Sequence, residues 1–276
     1  MKEIGIIGNP LGHTLSPKIH KSAFKELNLN IIFKIWDTKI EELENQINNL
    51  RNDHILGSCV TLPYKQNVIE FLDDIDETAK EMNAVNWIVN ENGKLKGYNT
   101  DWIGFSKSII YHKKEIKNKK CLVLGSGGSA KAICLAIIKE KAKTLYIHNR
   151  TYEKAKVLIS NFSKYKKNIE IIDDKKLNSK SFISEFDLIV NTTSLGMSGG
   201  PNPKKSPINT DIINKNALCY DLVYSPTITP FLQGAINNNI ERIGGLTMLV
   251  FQAAVGFELV TKQKAPLKKM LESVGI

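Results

Sequence analysis

The sequence predicts an α/β fold whose second half forms a doubly wound parallel sheet. Short apolar runs rich in β-branched residues alternate with helical patterns along most of the chain. A glycine-rich turn joins a strand to a helix from residue 125 onward. The dipeptide Asn92-Gly93 marks a two-residue hairpin turn in the first third. A chain of 276 residues is long enough for one large domain or two ordinary ones.

Composition excludes several classes of protein. The chain is 42% hydrophobic, but no apolar run is as long as a membrane span, and the N-terminus has no signal-peptide pattern. The four cysteines are scattered, which favours buried thiols in a reducing cytoplasm over disulfides or a metal site. The net charge of +10 comes from small lysine clusters without interleaved aromatic residues. We therefore expect a cytoplasmic protein whose basic surface attracts acidic metabolites and that binds neither nucleic acid nor membranes.

The first third is predicted to alternate strands and helices. The pattern indicates strands at residues 3–8, 31–36 and 56–62, helices at residues 16–27, 39–50 and 65–72, and hairpin strands at residues 84–90 and 94–99. Ser16-Pro17 is typical of a helix N-cap followed by its first residue.

The remaining two thirds are predicted to contain repeated βα units. Strands are expected at residues 120–124, 144–148, 168–172, 187–191 and 217–221, and helices at residues 101–112, 246–261 and 265–273. Helical patterns between successive strands require crossover connections, so this sheet should be parallel.

The glycine-rich turn is the first candidate binding site. It follows an apolar strand, opens an apolar helix, and consists of Gly125, Ser126, Gly127, Gly128, Ser129 and Ala130. This G-x-G-x-x-A pattern in a strand–turn–helix context is typical of a dinucleotide pyrophosphate site. A tight turn without a ligand is the alternative.

The end of the second strand of this sheet indicates which dinucleotide binds. Binders of NAD place a carboxylate there for the ribose 2′-hydroxyl, but here the strand is followed by Asn149, Arg150 and Thr151, with Lys154 one turn later. Two cations at this position suit the 2′-phosphate of NADP. The alternative is that they are solvated charges at a strand end.

The hairpin places polar side chains on one face. A two-residue turn pairs residues whose numbers sum to 185, so Asn86 should face Asn99 and Ala84 should face Asp101. Asn86, Asn99 and Asp101 then share a face, which suits recognition of ring hydroxyls or, alternatively, a solvated edge.

Two further segments carry candidate groups. Thr14 and Ser16 place hydroxyls beside a helix start, where a carboxylate would be stabilised, although Ser16 fits a simple N-cap equally well. Lys65 stands just past a strand stopped by Pro63, near a predicted helix start that disfavours a cation. A lone lysine is usually a solvated surface residue. His13 and His20 lack metal-ligand spacing and are interpreted as structural, and no metal is predicted.

These segments, in this order, resemble the shikimate dehydrogenase family over residues 8–257. Further matches begin at Asn191, at Tyr220 and at Gly244. The resemblance implies a substrate-binding catalytic domain at residues 1–103 with 243–276, and a Rossmann-type NADP-binding domain at residues 104–242. The C-terminal helices would return to the first domain.

The resemblance also implies roles for individual residues. Lys65 and Asp101 would transfer the proton. The expected substrate contacts are Thr14, Ser16, Thr61, Asn86, Tyr224 and Gln252. Besides the glycine-rich turn, the expected cofactor contacts are Asn149, Arg150, Thr151, Lys154, Leu222 and Gly245.

Several positions depart from the family pattern. Cys59 stands where the family usually has Asn, and Trp87 where it usually has Thr. Thr14 replaces a usual Ser, and Lys154 a frequent second arginine. Residues 260–262 read Val-Thr-Lys in place of the usual Trp-Thr-Gly. These departures leave open whether the substrate is shikimate or quinate.

The resemblance therefore implies an NADP-dependent oxidoreductase that reversibly reduces 3-dehydroshikimate to shikimate, on the route to chorismate and the aromatic amino acids, as a monomer or homodimer. One alternative is a quinate/shikimate dehydrogenase that uses NAD or NADP. An alternative of another class is a non-catalytic dinucleotide-sensing protein.

Overall fold

The computed structural model of the protein describes residues 1–12 and 14–276, apart from the side chains of residues 166 and 167. His13 lies outside the described residues. The chain forms two compact units, Met1–Gly104 with Leu249–Ile276, and Phe105–Met248.

Within residues 1–12 and 14–111 the structure has six strands and four α-helices. In chain order these are β1 (Lys2–Gly8), α1 (Ser16–Glu26), β2 (Ile31–Asp37), α2 (Leu43–Asn49), β3 (Ile55–Val60), β4 (Asp74–Ile75), α3 (Glu77–Met82), β5 (Trp87–Glu91), β6 (Lys94–Tyr98) and α4 (Asp101–Tyr111).

The rest of the chain continues the alternation. Its elements are β7 (Lys120–Leu124), α5 (Gly128–Lys139), β8 (Thr144–His148), α6 (Tyr152–Ser160), β9 (Ile169–Ile171), α7 (Asp174–Leu177), α8 (Lys180–Ile183), β10 (Leu188–Asn191), β11 (Leu218–Asp221), α9 (Pro230–Asn237), β12 (Glu241–Ile243), α10 (Leu246–Thr261) and α11 (Leu267–Glu272).

The first unit is built on a mixed sheet in the order β2-β1-β3-β5-β6-β4. Strands β1, β2 and β3 are parallel, and β5 runs antiparallel to both β3 and β6. Successive side chains on a strand alternate between faces, so this sheet buries two clusters. One contains Ile4 and Ile6 of β1 with Phe257 of α10, and the other contains Ile7 with Leu43 and Ile47 of α2. Helix α11 packs on α1, so the C-terminal helices belong to the first unit as predicted.

An aromatic group fills the first of these clusters. His20 is buried, stacks on Phe33 at 5.0 Å between ring centroids, and meets Trp87 edge-on at 5.5 Å. Neither ring nitrogen of His20 has a hydrogen-bond partner among the described residues. Burial lowers the pKa of His20 to about 3. The imidazole is therefore a neutral core residue, which agrees with its structural interpretation.

The second unit is an all-parallel sheet in the order β9-β8-β7-β10-β11-β12. This is the 3-2-1-4-5-6 order of a doubly wound dinucleotide-binding sheet, in which the strand order reverses between β7 and β10. The predicted α/β class with a parallel, doubly wound sheet is confirmed.

The structure corrects several local predictions. Strand β3 ends at Val60, and the helix expected at residues 65–72 is a five-residue 3-10 helix, Asn67–Phe71, that begins beyond Lys65. Lys65 therefore lies near a helix start, as predicted, but two residues before a short 3-10 helix and not within the first turn of an α-helix. Strands β4 and β12 and helix α3 were not predicted, because each is too short to show a clear period.

Candidate active site

The predicted catalytic groups of the first unit all lie at one edge of its sheet. The loops that follow β1 and β3 leave at the carboxyl ends of parallel strands. Strand β5 runs antiparallel to β3, so its start and the end of β6 lie at this same edge. The chain thereby brings Ser16, Thr61, Lys65, Asn86 and Asp101 to one edge from four separate segments.

Lys65 and Asp101 form a buried ion pair. The Lys65 ammonium donates to Asp101 Oδ2 over 2.5 Å, and the two residues are 8% and 5% exposed. Charge-assisted hydrogen bonds of this kind hold both side chains in a defined geometry. A buried pair is weak evidence for stability, because desolvation of both charges offsets their attraction. The short, buried contact between the two groups is suited to moving a proton.

Asn86 connects this pair to the rest of the site. Its amide donates to Asp101 Oδ1 over 2.8 Å, and its carbonyl oxygen accepts from the Thr100 backbone N–H over 2.7 Å. The hairpin register agrees with the prediction, since Trp87 pairs with Tyr98. Asp101 itself is the first residue of α4, so the predicted strand pairing with Ala84 is not formed.

Gln252 completes the hydrogen-bond network from α10. Its Oε1 accepts from Asn86 Nδ2 at 3.3 Å and from Thr100 Oγ1 at 3.4 Å. Its amide nitrogen donates to the Leu249 carbonyl over 2.8 Å. This polar residue in an apolar helix is thereby hydrogen-bonded through both its amide oxygen and its amide nitrogen.

Thr14 and Ser16 lie at the start of α1, but Ser16 is not its N-cap. The helix begins at Ser16, and Leu15 at the N-cap supplies no side-chain acceptor. Thr14 Oγ1 accepts from the Ser16 backbone N–H at 3.3 Å. The N-cap interpretation of Ser16 is therefore wrong, and its buried hydroxyl is available for another partner.

Cys59 is one residue that Ser16 influences. The Cys59 thiol donates to the Gly5 carbonyl at 3.3 Å, and the Ser16 hydroxyl lies close enough to affect the pKa of that thiol. Burial raises the pKa of the Cys59 thiol to about 12, although the Lys65 charge nearby acts in the opposite direction. The thiol is thus neutral. The only sequence signal for this position was the departure from Asn.

Thr61 is half-buried at the end of the β3 segment. Its backbone N–H donates to the Ile7 carbonyl over 2.9 Å, and its carbonyl accepts from the Tyr64 N–H over 3.0 Å. This fixes the turn that leads to Lys65.

The glycine-rich turn of the second unit connects β7 to α5. The Gly125 N–H donates to the His148 carbonyl over 2.8 Å, and Gly127 is the N-cap of α5 without a side-chain cap. Gly128 opens the helix. The first N–H groups of a twelve-residue helix are thus not occupied by an N-cap side chain, as an anion site requires.

Two glycines show that the turn suits a bound pyrophosphate. Gly125 has φ of +117°, and a Cβ there would collide with Thr192 Oγ1. A Cβ on Gly127 would instead meet no heavy atom within 4 Å. The turn is tightly packed on the protein side and open beside the helix N-terminus, so the residues present fit the diphosphate of a dinucleotide.

Arg150 and Lys154 lie beyond the end of β8. Both are exposed, and within the described part of the chain neither forms an ion pair. The Asn149 amide donates to the Thr151 carbonyl over 2.8 Å, which folds the strand end toward α6. Unpaired cations at this position could bind a 2′-phosphate without first losing another partner.

The remaining predicted residues follow β11. Leu222 and Tyr224 are half-buried, and burial raises the pKa of the Tyr224 phenol. Gly245 packs against the backbone of Leu222 so closely that a Cβ would collide with it. Tyr224, Leu222 and Gly245 belong to the second unit.

Asp221, at the end of β11, is a buried group to which no function was assigned from the sequence. Burial raises the pKa of its carboxyl to about 6, against hydrogen bonds from Thr229, Val223 and Asn191 that lower it. The sequence segment that begins at Tyr220 contains Asp221, but the hydrogen-bond partners of Asp221 lie in three segments and could not be inferred from the sequence.

Metal and membrane features are not found among residues 1–12 and 14–276. These residues contain no cluster of three or more His, Cys, Asp or Glu side chains that could hold a metal ion. None of the helices they form has the length and apolarity needed to span a bilayer.

Comparison with known proteins identifies the family. The model described as "Shikimate dehydrogenase substrate binding domain" matches residues 6–88, and "Shikimate / quinate 5-dehydrogenase" matches residues 108–197. A shikimate dehydrogenase (NADP(+)) of Caldanaerobacter subterraneus subsp. tengcongensis is 40% identical over 94% of this chain and 91% of its own length. The chain belongs to the shikimate dehydrogenase family.

Solved structures of the family agree with the fold. The enzyme of Thermus thermophilus in complex with NADP(H) and shikimate has a TM-score of 0.88 and 29% identity, and the match covers 99% of this chain and 98% of that one. The enzyme of Aquifex aeolicus has a TM-score of 0.90 and 33% identity, with 100% and 98% coverage. The likeness therefore extends over both units.

Proposed function

We propose that this member of the shikimate dehydrogenase family catalyses the reversible, NADPH-dependent reduction of 3-dehydroshikimate to shikimate, on the route to chorismate and the aromatic amino acids. The observation that carries the proposal is the buried contact of 2.5 Å between Lys65 and Asp101, held by Asn86. A protein that only sensed a dinucleotide would not need a desolvated proton-transfer pair outside its dinucleotide site.

The first unit would bind the substrate and place its carbonyl. The hydroxyls of Thr14 and Ser16, at the start of α1, would hold the carboxylate. Asn86, Asp101, Thr61 and Gln252 would hydrogen-bond the ring hydroxyls. A site built from such paired donors and acceptors discriminates strongly against analogues that lack a hydroxyl.

The proton transfer belongs to Lys65 and Asp101. When bound, NADPH supplies the hydride to the carbonyl carbon. Lys65 Nζ would stabilise the developing negative charge on the oxygen and deliver a proton to it, while Asp101 orients the ammonium. In the reverse direction the pair accepts the proton from the hydroxyl.

The second unit would bind NADP. The residues from Gly125 to Ala130 would hold the pyrophosphate at the start of α5. Asn149, Arg150, Thr151 and Lys154 would surround the 2′-phosphate. Leu222 and Gly245 would lie at the nicotinamide end, and Tyr224 would contact the substrate.

The assay that tests the proposal combines shikimate and quinate with NADP⁺ and NAD⁺. We expect shikimate with NADP⁺ to give the highest kcat/KM, measured as nicotinamide absorbance at alkaline pH. The Lys65→Met protein, purified identically, controls for host dehydrogenase. A preference for quinate would support the quinate alternative. No turnover with any pair would reject the enzymatic function.

Location and assembly are also proposals. Four buried free thiols support a reducing, cytoplasmic location. A monomer or homodimer is expected, and light scattering coupled to gel filtration measures which one forms.

A further inference from the structure

We infer that Asp221 is a positioning residue that locks together the loops following β10 and β11, and thereby sets the places of Leu222 and Tyr224. This inference rests on the proposed function, since it assigns those two residues to the nicotinamide and the substrate. Asp221 itself is not proposed to touch either ligand.

Both oxygens of the Asp221 carboxylate are engaged. Oδ1 accepts from Asn191 Nδ2 at 2.9 Å and from the Val223 backbone N–H at 3.0 Å. Oδ2 accepts from Thr229 Oγ1 at 2.6 Å. Asp221, Asn191 and Thr229 are each 0% exposed. One buried side chain therefore joins the end of β10, its own loop and the start of α9.

The hydrogen bond to Asn191 connects Asp221 to the loop after β10. Asn191 Oδ1 accepts from the Thr193 N–H at 3.0 Å and from its hydroxyl at 2.7 Å. The two loops also meet directly, because the Ser198 N–H donates to the Ser225 carbonyl over 2.8 Å. Asp221 thus holds a continuous hydrogen-bonded layer at the carboxyl edge of the sheet, where ligands bind in doubly wound folds.

The bond to Val223 places the neighbouring residues. The Val223 N–H is held by Asp221, and its carbonyl accepts from the Gly245 N–H at 3.3 Å. Leu222 and Tyr224 flank this residue, which is fixed at both its donor and its acceptor. Gly245 has no Cβ that would push Leu222 away. A loop held in this way is pre-organised, so little conformational freedom is lost when a ligand binds.

The carboxylate of Asp221 distinguishes a positioning role for this residue from simple packing in the core. Three donors converge on Asp221, and no cationic side chain among the described residues forms an ion pair with it. Its titratable neighbour Cys219 lies on the same strand, and burial, together with the smaller effect of the Asp221 charge, raises the pKa of that thiol to about 12. A buried carboxylate without a cation is costly. An asparagine would fill the same volume, but its amide would turn a donor toward one of the three donors.

The test uses the full chain and four variants. Asp221→Asn removes one acceptor atom at constant volume. Thr229→Val leaves the carboxylate but removes one of its donors, and Thr229→Ser restores that donor. Asp187→Asn is the matched control, because Asp187 accepts from the Lys120 N–H at 2.8 Å just before β10, at the opposite end of that strand. Calorimetry gives the Kd for NADP⁺ and for adenosine 2′,5′-bisphosphate, which lacks the nicotinamide end, and initial rates give kcat and KM.

For Asp221→Asn we expect NADP⁺ binding to weaken and the KM for shikimate to rise, each by about tenfold, with a comparable fall in kcat. Binding of adenosine 2′,5′-bisphosphate should stay within about twofold of the original protein, because its site lies at β8. Thr229→Val should show the same changes at smaller size. Thr229→Ser keeps the hydroxyl and should have the Kd, KM and kcat of the original protein. Asp187→Asn should also leave these constants unchanged.

Two outcomes would overturn the inference. The first is an Asp221→Asn protein with unchanged NADP⁺ affinity and KM. The second is an equal loss of NADP⁺ and fragment binding with a lower Tm, which would mean that Asp221 only stabilises the fold. If the original protein does not oxidise shikimate, the proposed function fails, but the comparison of NADP⁺ with the fragment still decides the positioning role of Asp221.

Discussion

At the scale of single residues, the candidate site depends on side chains that are far apart in sequence. Lys65 and Asp101 are 36 positions apart, yet their charged atoms lie within 2.5 Å. Arg150 and Lys154 are different in kind, because both are exposed and close in sequence. The first pair is therefore a candidate for chemistry, and the second for recognition of an anion.

Replacing Lys65 with Met should reduce kcat by roughly two to four orders of magnitude, because the proton donor to the developing alkoxide is lost. NADP⁺ affinity, measured by calorimetry, should remain near its original value. The exposed Lys80, replaced by Met in the same way, provides the control. Turnover close to the original level in a folded Lys65→Met protein would rule out the proposed mechanism.

Replacing Arg150 with Ala should weaken NADP⁺ binding by about tenfold to a hundredfold, the range of a lost charged hydrogen bond. NAD⁺ lacks the 2′-phosphate, so its affinity should hardly change. Lys156→Ala is the control, since Lys156 is an exposed cation of α6 that pairs with Glu153. Equal losses for both dinucleotides would show that Arg150 does not recognise the 2′-phosphate.

At the scale of elements, α10 illustrates how a helix is fitted to a sheet. Its buried face joins the cluster that contains Trp87 of β5. A Cβ at Gly256 would collide with the indole ring of Trp87, whose Nε1 has no hydrogen-bond partner among the described residues. The large Trp side chain, a departure from the family's Thr, is thus accommodated by a glycine on the facing helix.

Gly256→Ala should destabilise the first unit by about 1–3 kcal/mol, the usual range for overpacking. The gain in helix propensity, about 1 kcal/mol, acts in the opposite direction and is the smaller effect. In the Trp87→Phe background, Gly256→Ala should lower the free energy of unfolding clearly less. A double-mutant cycle of urea unfolding measures this difference. Strictly additive effects would show that the two residues are not in steric contact.

At the scale of the whole molecule, unfolding of the first unit can be followed by itself. The three tryptophans, Trp36, Trp87 and Trp102, all lie in the first unit. Tryptophan fluorescence therefore reports unfolding of that unit, which also contains the buried His20.

The stability of the first unit should fall on acidification because of His20. The unfolded chain binds a proton near pH 6.5, whereas the folded state resists it down to a pKa of about 3. Between these values the unfolded state holds more protons, so the free energy of unfolding falls as the pH falls, by about 1.4 kcal/mol per pH unit. Above pH 6.5 this contribution is constant.

His20→Phe should remove that slope, because the aromatic packing is kept and the titrating group is lost. The measurement is urea unfolding followed by tryptophan fluorescence at several pH values from 4 to 8. The difference between the two proteins should be constant above pH 6.5 and change steadily below it. A difference that does not vary with pH would mean that His20 does not titrate on unfolding.

Regular elements of the fold could be predicted from the sequence, whereas very short strands could not. The alternation of strands and helices, the parallel second sheet and the hairpin register follow from local periodicity and from Asn92-Gly93, and the structure agrees with all three. The short strands β4 and β12 contain too few residues to show a hydrophobic period, so the sequence could not predict them. They are stabilised by pairing with β6 and β11.

The sequence by itself determined the fold class, the glycine-rich turn and the two cations after β8, because each depends on residues that are neighbours in the chain. Only the tertiary structure decided that Cys59 lies beside Ser16, that Gln252 meets Asn86, and that Asp221 joins two loops. These contacts connect segments whose separation is set by strand order and helix packing. Local propensity contains no information about such distances, since they arise only when the sheets and their cores assemble.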